Sequence, residues 1–114
     1  MVNKWEIYFC SLDPTEGSEQ RGTRPVLVIS TDAVNHNLTV STVLPISSIK
    51  ENSKIYPTEV FLAKEISGLP KDSVAMVQQI RTVSNKRLTK VVSKITDINL
   101  QNEILDACKN YFEF

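Results

Sequence analysis

Four consecutive apolar residues, Val26-Leu27-Val28-Ile29, follow Arg24-Pro25 and constrain the fold of this chain more than any other feature. The run is too short for a helix, and its lack of alternation suits a central strand buried on both faces. The sequence around it supplies many more short strand-like segments. Glu6 to Leu12 reads as a first strand ending at Asp13-Pro14, and the polar stretch Thr15 to Thr23, with Gly17 and Gly22, reads as a loop leading into the second strand at Val26 to Ser30. Thr31-Asp32 caps a short helical or turn segment, Val40 to Ile46 forms a third strand, and Ser47 to Pro57 reads as a mobile polar loop. Thr58 to Leu62, Ser73 to Gln78 and Ile80 to Val83 follow as strands around a turn at Gly68 to Asp72.

Asn85 to Leu88 suits one helical turn and Lys90 to Ile95 a half-buried strand. Thr96 or Asp97 then offers an N-cap for a closing helix reaching Tyr111. On that helix Ile98, Leu105, Cys108 and Phe112 follow helical spacing, and Leu100, Ile104 and Tyr111 widen the apolar face. Many short strands with one C-terminal helix describe a mainly β domain, a strongly bent sheet or an SH3-like barrel. The 114 residues suffice for one hydrophobic core, so residues 1–114 are read as a single domain.

Several function classes drop out. No apolar run reaches the length of a membrane span and the start lacks a signal peptide, so the expected location is the cytoplasm. Cys10 and Cys108 form no CxxC pair and have a single histidine, His36, as a possible co-ligand, which argues against a metal site; no cofactor is expected. Both cysteines read as small buried hydrophobes, and His36 is left out of the site. The formal net charge is zero, so a nucleic-acid site has to be local. Arg81, Lys86, Arg87, Lys90 and Lys94 follow one another without an acid among them, while Asp13, Glu16 and Glu19 gather early.

The segment from Leu12 to Ile29, LDPTEGSEQRGTRPVLVI, resembles the signature of the MazF/PemK/Kid toxin endoribonucleases. Leu69-Pro70-Lys71-Asp72-Ser73-Val74, continuing into Gln79-Ile80-Arg81-Thr82-Val83 and Lys86-Arg87-Leu88, is similar to the family's later motif. Two motifs in the right order make coincidence a poor explanation. The resemblance implies an SH3-like barrel of the MazF/CcdB/Kid type, a homodimer, and a cognate antitoxin as partner. It implies a toxin of a type II toxin-antitoxin system that cleaves single-stranded RNA, mRNA first and tRNA or rRNA as further candidates, leaving a 2′,3′-cyclic phosphate and a 5′-hydroxyl.

By the same resemblance Glu19 and Arg24 fall on the family's catalytic Glu and Arg, and Ser47 where many members carry a catalytic Thr. Two departures stand out: Trp5-Glu6 where Gly-Asp is usual, and Gln78 in place of a frequent Glu. Attack by the neighbouring 2′-hydroxyl needs a base, an acid for the leaving 5′-oxygen and positive charge for the phosphate, without a metal. Arg24 suits the charge role through its guanidinium fork. Glu19 suits proton acceptance or the orienting of Arg24, and the Ser47 hydroxyl suits contact with the phosphate or leaving oxygen. Ser18, Gln20 and Gln79 are candidate readers of base edges, and Arg81 a candidate backbone guide. Two other readings remain: a toxin of this fold that binds DNA gyrase without catalysis, and a barrel that serves only as a regulatory binding module.

Overall fold

The computed structural model describes residues 1–50 and 52–114. Seven strands among the described residues, β1 (Glu6–Ser11), β2 (Thr23–Val28), β3 (Val40–Ser48), β4 (Glu59–Leu62), β5 (Ser73–Met76), β6 (Arg81–Ser84) and β7 (Leu88–Lys94), form one sheet in which six follow the order β4-β5-β3-β2-β1-β7 and β6 pairs with β3 off this path. Three helices, α1 (Asp32–Asn37), α2 (Lys64–Ser67) and α3 (Ile98–Phe112), and two single 3₁₀ turns at Val77–Gln79 and Asn85–Arg87 accompany the strands among the described residues.

The β2 strand occupies the centre, as the unbroken apolar run requires. Val26, Leu27 and Val28 are fully buried, Leu27 in one core cluster with Ile7, Leu44 and Ile104, Val26 and Val28 in a second with Tyr8, Cys10 and Val43. Alternate residues of β1, β2 and β3 thus feed opposite faces, which is why these strands read as apolar rather than alternating. Each fully buried Leu, Ile or Val contributes about 1.5–3 kcal/mol.

The β3 strand bends the sheet by changing partner along its length. Val40 to Val43 pair with β6, and Ile46 to Ser48 pair with β5, all antiparallel. No single flat partner strand serves both ends. The C-terminal helix packs Leu100 and Ile104 on the first cluster, with Ala107 and Cys108 alongside, and Asp97 caps it by accepting from the backbone N–H of Leu100 at 2.9 Å.

Several boundaries differ from the sequence reading. The β2 strand starts three residues early and stops at Val28 rather than Ser30, because Thr23 and Arg24 pair with Ser11 and Cys10. The β3 strand runs on through Ser48, so Ser47 lies in the ladder, not in the loop; Glu51 of that loop lies outside the described residues. Strand structure in the segment from Ser73 ends at Met76, where the 3₁₀ turn begins. The α2 helix had no periodic apolar signal because it has only four residues. On α3, Ile98, Tyr111 and Phe112 stay exposed: Ile98 precedes the first contact of the helix with the sheet and the aromatics lie beyond its last. Cys10 is buried as expected, whereas Cys108 is half-buried at the edge of the cluster.

Candidate functional site

The loop between β1 and β2 closes on itself. The Leu12 N–H donates to the Gly22 carbonyl at 2.9 Å, and the Asp13 carboxylate accepts from the Gly22 N–H at 3.1 Å. These bonds bring residues 12 and 22 together, so the intervening residues project as a tight excursion beside the start of β2. Glu19 is exposed within it, its carboxylate accepting from the Glu16 N–H at 2.6 Å.

Arg24 is half-buried on β2, where its Nε donates to the Arg21 carbonyl at 2.8 Å. Its terminal nitrogens make no hydrogen bond or ion pair among the described residues, where the one ion pair joins His36 to Asp32. Orientation of Arg24 therefore comes from the Arg21 carbonyl, and Glu19 forms no ion pair with it. A cleft of about 370 Å³ opens here, lined by Arg24, Arg21, Lys71, Thr23, Ser48 and Ser73 among others. Three cations and two paired serines, Ser48 opposite Ser73 in the β3–β5 ladder, give the cleft a positive, hydroxyl-bearing lining whose chemistry suits an anion.

A second, smaller cleft of about 170 Å³ is lined by Glu19, Gln20, Pro45, Gln78, Gln79, Ile80 and Arg81. Five of these were singled out from the sequence, Gln78 as a departure and the others as candidate site residues. Ser47 lines neither cleft; its hydroxyl donates weakly to the Ser48 carbonyl at 3.4 Å. It nonetheless lies at the same end of the sheet as Arg24: the β2–β3 ladder ends with Val26 opposite Pro45, two residues from each.

The remaining candidates are engaged with the loop. Gln79 accepts from the Gln20 N–H at 3.2 Å and donates to the Ser18 carbonyl at 3.1 Å. Arg81 donates to the Leu12 carbonyl at 3.0 Å. The Gln20 side-chain oxygen is buried with no hydrogen-bond partner, an acceptor in the wall of the second cleft. Gln78 donates to Glu59 and accepts from Thr58, tying the cleft to the start of β4. Arg81 and Arg87 also lie close enough to Cys10 to oppose the upward push that burial gives its thiol. Sequence reasoning passed over Arg21, Lys71, Ser48 and Ser73; all but Ser48 lie inside the two quoted motifs, and only the fold shows that they share a cleft with Arg24.

Comparison with known proteins bears on the family and the fold. The family model described as PemK-like, MazF-like toxin of type II toxin-antitoxin system matches residues 3–111. The chain is 37% identical over 97 residues to Endoribonuclease EndoA of Bacillus subtilis (strain 168), a match spanning 85% of this chain and 83% of that one. Among solved structures it resembles MazF (Form-I) from Deinococcus radiodurans, with a TM-score of 0.83, 21% identity, and 99% and 97% of the two chains covered. It also resembles an endoribonuclease in complex with its cognate antitoxin from mycobacterial species, with a TM-score of 0.80, 18% identity, and 100% and 97% covered. At these identities the structural matches speak for the fold.

Proposed function

The chain belongs to the PemK-like, MazF-like toxins of type II toxin-antitoxin systems, and from that premise we propose that it is a sequence-specific endoribonuclease cutting single-stranded RNA without a metal. The observation that carries the reading is Arg24: its Nε is taken by the Arg21 carbonyl, which leaves the two terminal nitrogens without a partner among the described residues, at a cleft that Arg24 lines with Arg21 and Lys71. That geometry suits two oxygens of one phosphate.

In the reaction the 2′-oxygen attacks the adjacent phosphorus and the bond from phosphorus to the 5′-oxygen breaks. The products are a 2′,3′-cyclic phosphate and a 5′-hydroxyl. The 2′-hydroxyl proton passes to a base and a proton is delivered to the leaving 5′-oxygen. Glu19, exposed in the wall of the second cleft, is the base; Ser47, at the same end of the sheet as Arg24, meets the phosphate or the leaving oxygen. Arg24 stabilises the charge that builds on the phosphate. Because the nucleophile belongs to the substrate, no metal-activated water is called for. Ser18, Gln20 and Arg81 contact the RNA around the cut, and the protein works as a homodimer held in check by a cognate antitoxin, in the cytoplasm. No described helix is long and apolar enough to cross a membrane.

The test is incubation of the purified protein with a long single-stranded RNA in excess EDTA, beside Arg24→Ala, with the fragment ends mapped. Discrete cuts with 5′-hydroxyl ends in the wild type, lowered at least ~100-fold in the variant, are expected by analogy with loss of one transition-state donor. RNA left intact by the wild type, or equal cutting by the variant, would overturn the reading.

A further inference from the structure

We propose that Gln79 is a positioning residue for the cleavage, fixing Glu19 by holding the backbone on both sides of it; this rests on the nuclease reading above and extends it. Glu19 lies between Ser18 and Gln20. The Gln79 amide accepts from the N–H of Gln20 and donates to the carbonyl of Ser18, at 3.2 and 3.1 Å, across 59 and 61 residues of sequence. A primary amide carries an acceptor and a donor on one carbon, so a single side chain grips both flanking peptide groups.

The grip starts from a firm base. Gln79 ends the 3₁₀ turn Val77–Gln79, whose Val77 is fully buried and donates its N–H to the Thr58 carbonyl at 3.0 Å. Lower on the loop, Arg81 holds the Leu12 carbonyl, and Arg87 holds those of Ser11 and Asp13 at 3.2 and 2.8 Å. The later motif thus acts as the clamp of the earlier one, which gives a physical reason for the two to occur together. An exposed loop that contains Gly17 would otherwise have to order itself at each turnover; a carboxylate held in advance avoids that entropy cost. With both polar atoms of its amide on the loop, Gln79 keeps only one N–H and one oxygen lone pair for a base edge.

The test uses single-turnover cleavage of an oligonucleotide carrying the mapped cut site. Gln79→Ala is expected to slow the cleavage step by about 10-fold or more, the scale of a misplaced catalytic group. Affinity for the same oligonucleotide with a 2′-deoxy sugar at the cut falls by a smaller factor than the cleavage rate. Combined with Glu19→Gln, the Gln79 change adds no further loss, since it acts through Glu19. Gln79→Glu, which keeps the acceptor for Gln20 and loses the donor to Ser18, falls between wild type and Gln79→Ala and serves if the alanine variant unfolds. Hydrogen exchange at the Gln20 amide, faster in Gln79→Ala, reads the clamp without any activity. A loss of affinity for the deoxy oligonucleotide as large as the loss of rate, effects that multiply with Glu19→Gln, or unaltered exchange at Gln20 would each overturn the proposal. A wild type that cut no RNA would sink the nuclease reading and the catalytic part of this one, while the exchange result would still decide for or against the clamp.

Discussion

Arg24 sits directly opposite Cys10 in the ladder between β1 and β2, so the backbone that carries the guanidinium at the cleft is paired with that of a fully buried residue of the second core cluster. Packing beneath the site and the aim of Arg24 are therefore one problem.

A larger side chain at position 10 should disturb both. Cys10→Leu adds volume at a site with no exposed surface and is expected to cost about 1–3 kcal/mol of stability. It should also lower RNA cleavage at a temperature where the variant is fully folded, because β2 must shift to make room. Urea titration and cleavage assays on the same preparation check this; a destabilised Cys10→Leu with wild-type cleavage would show that β2 holds Arg24 independently of the packing below.

Tyr8, on the same buried face, has its hydroxyl pushed up from the ordinary value near 10 to about 12, first by burial and then by the Glu6 carboxylate that accepts its hydrogen bond at 3.1 Å. The folded state thus prefers the protonated phenol. Stability from this group is fully present below about pH 10 and is lost as pH rises from there through about 12. In urea titrations from pH 8 upward, the wild-type midpoint should fall above pH 10 and Tyr8→Phe should fall less steeply. Parallel curves would mean that other groups govern the alkaline limit.

How far the sequence foretold all this depends on the kind of interaction. The central position of β2 was legible because four apolar residues in a row leave little else to be, and the closing helix because Asp97 caps a run with Leu100 and Ile104 at helical spacing. The grouping of Glu19, Gln20, Gln79 and Arg81 around one cleft was legible through the two motifs. The partner change along β3 was not, since pairing across the chain leaves no local trace, and this is what carried Ser48 and Ser73 into the Arg24 cleft. Trp5 shows a departure that gains sense from the structure. It stands where the resemblance expects glycine, and its φ of 75° lies in the region glycine favours. Its backbone is bonded to Val28 and Ile95 and its ring packs on the first core cluster, which offsets the strain.

Gly68 ends α2 at a φ of 75°, and a Cβ there would come within 2.7 Å of the Ser93 Cβ, an atom that cannot swing aside. The Ser93 hydroxyl in turn donates to the Ser67 carbonyl at 2.6 Å, so β7 is tied to this turn. Gly68→Ala combines a left-handed backbone, about 1–2 kcal/mol for a side-chain-bearing residue, with a steric clash, and is expected to exceed that range. Gly22→Ala, at φ 78° with nothing within 4 Å, should cost the backbone part alone. Equal losses for the two variants in urea would show that the turn yields and the clash is relieved.

Lys71 separates binding from chemistry at the Arg24 cleft. It is exposed on the turn before β5 and lines the cleft with Arg21 and Arg24, so under the proposed function it would meet a phosphate flanking the cut. Neutralising one such contact on a single strand should reduce the magnitude of the slope of log K against log salt by about 0.7. Lys71→Ala is thus expected to weaken binding of a non-cleavable 2′-deoxy oligonucleotide at low salt, converge towards wild type as salt rises, and leave the cleavage rate at saturating enzyme close to wild type. Lys94, on β7 opposite Glu6, belongs to the other edge of the sheet, and its replacement by alanine should leave the slope alone. A slope unchanged in Lys71→Ala, or changed equally in Lys94→Ala, would mean that the RNA backbone follows a different path across the protein, and that Arg24 meets its phosphate without help from the turn.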